Sequence, residues 1–183
     1  MIVYLAWGSL VWGPGDLPLA HVWRDDGPEV RVEFVRQSNN GRLTLVLTPE
    51  ADPLPSLWAR FKGEDLAEAR EHLRRREKIP AKNGDLHIGS WTPGASEPVC
   101  TPGLEAWAIE RGVTAVVWTA LPPKFLDREA PIVSVGEAAA YLAGLSGETR
   151  ALAEEYVRRA PVQIATAYRR HFEDELGWHH IGD

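Results

Sequence analysis

Residues 29–48 constrain the fold of this chain more than any other stretch. Val30, Val32 and Phe34 alternate with Arg31, Glu33 and Val35, and further on Leu43, Leu45 and Leu47 alternate with Thr44, Val46 and Thr48. A period of two sends every second side chain to the same face of an extended strand. Between the two runs, Asn39-Asn40-Gly41 supplies residues that tolerate the positive φ of a tight turn. The segment therefore reads as a β-hairpin with one buried face. Arg36, Gln37 and Ser38 lie at its turn end on one strand, with Arg42 and Thr44 on the other.

The rest of the chain is read around this hairpin. Residues 1–6 form an apolar run suited to a buried strand, and it breaks at Trp7-Gly8-Ser9-Leu10-Val11-Trp12. A glycine there turns the backbone with its N–H groups unshielded, and such amides grip anions or oxyanions. Leu57 to Phe61 is a further strand candidate. Residues 63–78 carry acids early and Arg74, Arg75, Arg76 and Lys78 late, the charge order a helix dipole favours. Leu66, Ala69 and Leu73 share a stripe, and Glu77, eleven positions after Leu66, falls on it too. A carboxylate there points inward, where desolvation raises its pKa towards that of a general base. The plain alternative is a solvated carboxylate paired with a neighbouring arginine or lysine. Pro80 stops the helix.

Residues 80–103 are rich in Pro, Gly and Asn and read as a long excursion with a short strand near Ile88 to Trp91. Thr114 to Ala120 reads as a strand buried on both faces. The last third is helical: Ser134 and Glu137 form a capping box for a helix to about Leu145, a second helix spans 147–159, and a third starts at Pro161 and runs to about Leu176. On the third, Ile164, Ala167, Tyr168, His171 and Phe172 form the expected packing face.

Composition excludes several classes. The formal net charge of −6 argues against a nucleic-acid partner. A lone cysteine, Cys100, rules out an internal disulfide framework or a cysteine zinc site. The six histidines show no HExxH spacing, so no metal is expected. Ser9 is not in a GxSxG elbow, and no GxGxxG or Walker A stretch points to a nucleotide. No run reaches the roughly 18 residues of a membrane span. The N-terminus lacks the basic segment of a signal peptide, so a cytoplasmic location is expected.

Three short motifs in a fixed order carry a resemblance: Gly8-Ser9-Leu10 after the first strand, the hairpin segment from Arg36 to Thr44, and Arg76-Glu77-Lys78 at a helix end. Together they resemble the gamma-glutamylcyclotransferase-like superfamily, especially its ChaC-type branch. Trp7-Gly8-Ser9-Leu10-Val11-Trp12 matches that branch's Tyr-Gly-Ser-Leu-Ile-Trp motif. Gln37-Ser38-Asn39-Asn40-Gly41-Arg42-Leu43-Thr44-Leu45-Val46 looks like a shortened Gln-Gly-Ser…Gly-Arg-Val-Val-Thr-Leu-Val segment. The resemblance covers roughly residues 1–78, with 114–120 as a later barrel strand.

It implies an α+β fold built on a small mixed β-barrel with flanking helices. The chain would be a single domain, with a barrel core over 1–125 and a helical C-terminal extension over 130–178. It also implies cleavage of a gamma-glutamyl amide without water, the α-amine attacking the γ-carbonyl to give 5-oxoproline and a free amine. Glu77 would move the protons. Trp7, Gly8, Ser9, Leu10, Ser38 and Arg42 would bind the substrate. No metal or cofactor is implied, and the oligomeric state is left open. Two positions depart from the pattern: Trp7 replaces the family tyrosine, and Ile79-Pro80-Ala81 replaces Gly-Gly-Tyr. They leave room for a substrate other than glutathione, for another amide or amine, or for a binding module without chemistry.

Overall fold

The computed structural model describes residues 1–125 and 133–182. The strands are β1 (Ile2–Ala6), β2 (Glu29–Gln37), β3 (Leu43–Leu47), β4 (Pro53–Pro55), β5 (Leu57–Arg60), β6 (Ile88–Trp91) and β7 (Ala115–Thr119). The helices are α1 (Leu66–Arg76), α2 (Gly84–His87), α3 (Leu104–Glu110), α4 (Val135–Gly144), α5 (Gly147–Arg159) and α6 (Ala167–Leu176). The expected α+β class holds. Residues 130–132, where the helical extension was expected to begin, lie outside the described residues.

The closed barrel does not form among the described residues. The strands make two separate sheets, one in the order β5-β1-β7-β6 and one in the order β3-β2-β4. In the first, β1 runs antiparallel to β5 and parallel to β7, and β6 closes antiparallel on β7. Two features keep the sheets open. The outer edge of β5 is taken by bridges from Leu19 to Phe61 and from Arg24 to Trp58. In the second sheet, β4 carries Pro53 and Pro55, which have no N–H to extend a ladder.

The hairpin of residues 29–48 forms as β2 and β3, with Gly41 at φ 78 in its turn. Its burial is less simple than the alternation predicts. A register shift between Glu33 and Arg36 bulges β2, and Glu33, Phe34 and Val35 are all buried. Both α5 and α6 pack against this sheet, and Phe34 meets a ring from each, Tyr156 and Phe172. β7 is buried over Ala115, Val116, Val117 and Trp118, as a central strand should be.

Helix α1 starts later than its charge pattern suggests. Asp65 is its N-cap, accepting N–H bonds from Ala67 and Glu68 at 2.7 and 3.1 Å. The Ser134–Glu137 capping box and the α5 span of 147–159 are as expected. The last helix starts at Ala167 instead of Pro161. Arg169 Nη1 holds the carbonyls of Pro161 and Ile164 at 2.7 and 3.2 Å, and Thr166 caps the helix. Its buried face accordingly uses Arg169 and Phe172, while Ala167 is exposed.

Helices α2 and α3 were not anticipated. For α3 the signal was present, since Leu104, Trp107 and Ala108 follow the i, i+3, i+4 spacing and all three are buried. Among the described residues no helix is long and apolar enough to cross a membrane.

Candidate functional site

A cavity of about 710 Å³ opens between the end of β1, the hairpin tip, the end of α1 and α5. This size suits a small-molecule ligand. Trp7, Gly8, Ser9, Leu10, Ser38, Arg42 and Glu77 all line it. Three separate stretches of sequence therefore meet at one place. Among the described residues in the lining, Glu77 is the only carboxylate.

The first wall is the turn after β1. The carbonyls of Gly8 and Ser9 accept from Val11 and Gly13, each at 2.9 Å. The N–H groups of Gly8, Ser9 and Leu10 meet no protein acceptor among the described residues. Three successive amides with no protein acceptor are available to an anion. Trp7 is buried, and its indole N–H donates to the Leu45 carbonyl at 3.3 Å. It therefore walls the cavity with an apolar ring, its polar atom being spent on β3.

The second wall is the C-terminus of α1. The helix ends with Glu77 as C-cap, and Lys78 follows at φ 56. The Lys78 N–H bonds the Arg75 carbonyl and the Ile79 N–H bonds the Arg74 carbonyl, both at 3.0 Å, which is the Schellman arrangement. Glycine usually occupies this left-handed position, and a lysine there is strained.

The reversal turns Glu77 into the cavity, where its side chain is 16% exposed. It is also ion-paired: Arg76 Nη1 reaches its Oε1 at 2.6 Å. The carboxylate therefore points into the cavity and is also paired with the neighbouring arginine.

Arg76 is the residue that sequence reasoning passed over here. Its guanidinium also donates to the Gly13 carbonyl at 2.7 and 3.1 Å and to Ser9 Oγ at 3.3 Å. It thereby ties the helix end to the β1 turn, across 67 positions of sequence. A basic run of three arginines looks like a solvated face, and nothing local marks the third as different.

The hairpin tip is the third wall. Ser38 Oγ lies 2.7 Å from Asn40 Oδ1 and 3.1 Å from the Arg42 carbonyl, so its hydrogen serves the turn. Asn40 Oδ1 also accepts from Arg42 Nε at 3.0 Å. This fixes Arg42, whose guanidinium lies 5.4 Å from the Tyr156 ring centroid. Arg36 also lines the cavity, and burial pulls its pKa down. With Arg36, Arg42 and Lys78 against one carboxylate in the lining, the cavity favours a ligand with a net negative group.

The fourth wall comes from α5. Tyr156 is buried, and its hydroxyl accepts the Leu45 N–H at 3.3 Å. A Cβ on Gly8 would fall 2.6 Å from this oxygen, so any side chain at position 8 displaces Tyr156. In the sequence, Ala153, Tyr156, Val157 and Ala160 look like an ordinary core stripe, which hides the part Tyr156 plays in the cavity. His87 lines the cavity as well, and its buried Nδ1 has no partner among the described residues.

Among the described residues no three His, Cys, Asp or Glu side chains converge to hold a metal ion. No protein-family model, curated protein or solved structure matches this chain.

Proposed function

We propose that the chain is a cyclotransferase-type lyase. It cleaves a gamma-glutamyl amide, or a closely similar amide, by attack of the substrate's own α-amine. The observation that supports this reading is the convergence in one cavity of Glu77, the open amides of Gly8, Ser9 and Leu10, and Arg42.

The nucleophile is tethered to the carbonyl it attacks, so catalysis reduces to folding the substrate and moving protons. Glu77 takes a proton from the α-ammonium. The freed amine adds to the γ-carbonyl carbon, and the carbonyl π pair moves onto oxygen. As the C=O re-forms, the old C–N bond breaks and Glu77 delivers its proton to the leaving nitrogen. The surplus proton on the new ring nitrogen follows by way of the same carboxylate, leaving 5-oxoproline, a protonated amine and ionised Glu77. The amides of residues 8–10 hold the substrate carboxylate or the developing oxyanion. Arg76 keeps Glu77 aimed between turnovers.

The test is mass-spectrometric detection of 5-oxoproline from a panel of gamma-glutamyl amides, glutathione included, with Glu77→Gln run in parallel. The variant keeps shape and loses the base, and its kcat is expected to fall by about 10²–10⁴-fold. Turnover by Glu77→Gln at the wild-type rate would remove Glu77 from the mechanism. A second reading keeps the cavity and changes the amide. Trp7 favours it, because its N–H is spent on Leu45 and it offers a substrate only an apolar ring. Product mass across the panel separates the two.

A further inference from the structure

The four tyrosines of this chain make an informative set. Tyr4 donates its hydroxyl hydrogen to the Ala69 carbonyl at 3.0 Å, Tyr141 donates to the Gly41 carbonyl at 2.8 Å, and Tyr168 donates to the Val133 carbonyl. Tyr156 does the opposite. Its oxygen accepts the Leu45 N–H at 3.3 Å, and its own hydrogen has no protein acceptor among the described residues.

This phenol is 5% exposed and lines the cavity that holds Glu77. A phenylalanine would fill the same core against Trp12 and Phe34, whose rings meet Tyr156 edge-on at 5.4 and 6.2 Å. The hydroxyl oxygen satisfies the Leu45 N–H, but the hydroxyl hydrogen has no packing explanation, since a buried donor left unpaired is costly. The bond from Leu45 fixes the oxygen and leaves the O–H hydrogen available to a ligand in the cavity that Tyr156 lines. Burial pushes the phenol up to about 12, so it stays a donor at neutral pH.

We propose that Tyr156 is a catalytic residue whose O–H donates to the γ-carbonyl oxygen of the bound amide. The assignment rests on the cyclotransferase reading above. When the α-amine adds and the π pair moves onto oxygen, the phenol and the neighbouring amide N–H groups hold the new negative charge. The pair returns as C=O re-forms and the amine leaves, and the phenol keeps its proton throughout. The helical third of the chain thereby contributes a hydrogen-bond donor to a site otherwise lined by residues from Leu5 to Leu121.

Removing one such donor lowers kcat by about 10²–10³-fold while leaving KM within a few-fold. That is the result expected for Tyr156→Phe on the best gamma-glutamyl amide of the panel, with a melting curve to verify the fold. A second pair of variants separates chemistry from packing. Gly8→Ala forces a methyl to 2.6 Å from the phenol oxygen and should lower both the melting temperature and the rate. In Gly8→Ala/Tyr156→Phe the nearest remaining contact is a ring carbon at 3.6 Å, so the melting temperature recovers. A donor role predicts that the rate does not recover with it. Wild-type turnover by Tyr156→Phe, or rate recovery in the double variant, overturns the assignment and leaves the cyclotransferase reading standing. No 5-oxoproline from the wild-type protein overturns both.

Discussion

Glu33 is a buried carboxylate that lies outside the candidate site. It accepts from the Phe34 N–H at 2.9 Å, from Thr166 Oγ1 at 2.5 Å and from the Tyr168 N–H at 3.2 Å, so it fastens β2 to the first turn of α6. Burial raises its pKa despite these bonds. The folded state therefore holds this proton to higher pH than the unfolded chain. The stability so gained is complete below the ordinary glutamate value of about 4.3 and is lost as pH rises through the raised folded pKa. Glu33→Gln abolishes that titration. It is less stable at every pH, because an amide N–H₂ then faces the Tyr168 N–H, but the gap to wild type narrows as pH rises above about 4. Urea unfolding of both proteins across the acidic range measures this. A gap that widens instead would show that the carboxylate is more stable as an anion in the fold than in water.

At the scale of elements, the two sheets meet different demands. β7 is central and parallel to β1, and its Trp118 pairs across to Gly89 on β6. A Cβ at position 89 would stand 2.4 Å from the Trp118 indole. Gly89→Ala is thus expected to destabilise the protein by about 1–3 kcal/mol through overpacking, read as a lower urea midpoint. An unchanged midpoint would mean that Trp118 has another rotamer available. The hairpin tip is held differently, by contacts from the helical third. Tyr141 on α4 bonds the Gly41 carbonyl, and a Cβ on Gly41 would meet Thr149 of α5 at 2.7 Å. The turn that presents Ser38 and Arg42 to the cavity is therefore braced by helices about a hundred residues later.

At the scale of the molecule, one hydrophobic cluster joins both ends of the chain. Val3, Leu5, Phe34 and Leu45 belong to the same cluster as Leu142, Tyr156, Val157, Ile164, Phe172 and Trp178. The helical segment is thus part of the core of the first two sheets. A chain truncated after Phe125 is expected to lose its cooperative thermal transition, because the exposed apolar face has no replacement cover. A sharp transition in that fragment, seen by calorimetry, would show that residues 1–125 fold alone. The hairpin, the short β6, the buried β7, the capping box at Ser134 and the span of α5 were legible in the sequence, because period, turn residues and caps act within a few positions. The stripe that carries Glu77 inward was legible for the same reason, down to the end of α1. Whether seven strands close into one barrel was not legible, because it depends on what occupies the edges of β5 and β4. The bonds from Arg76 to Gly13 and Ser9, the bond from Leu45 to Tyr156 and the reach of α5 to Gly8 were hidden as well. Each joins residues far apart in the chain, and only packing in three dimensions decides which distant side chains meet.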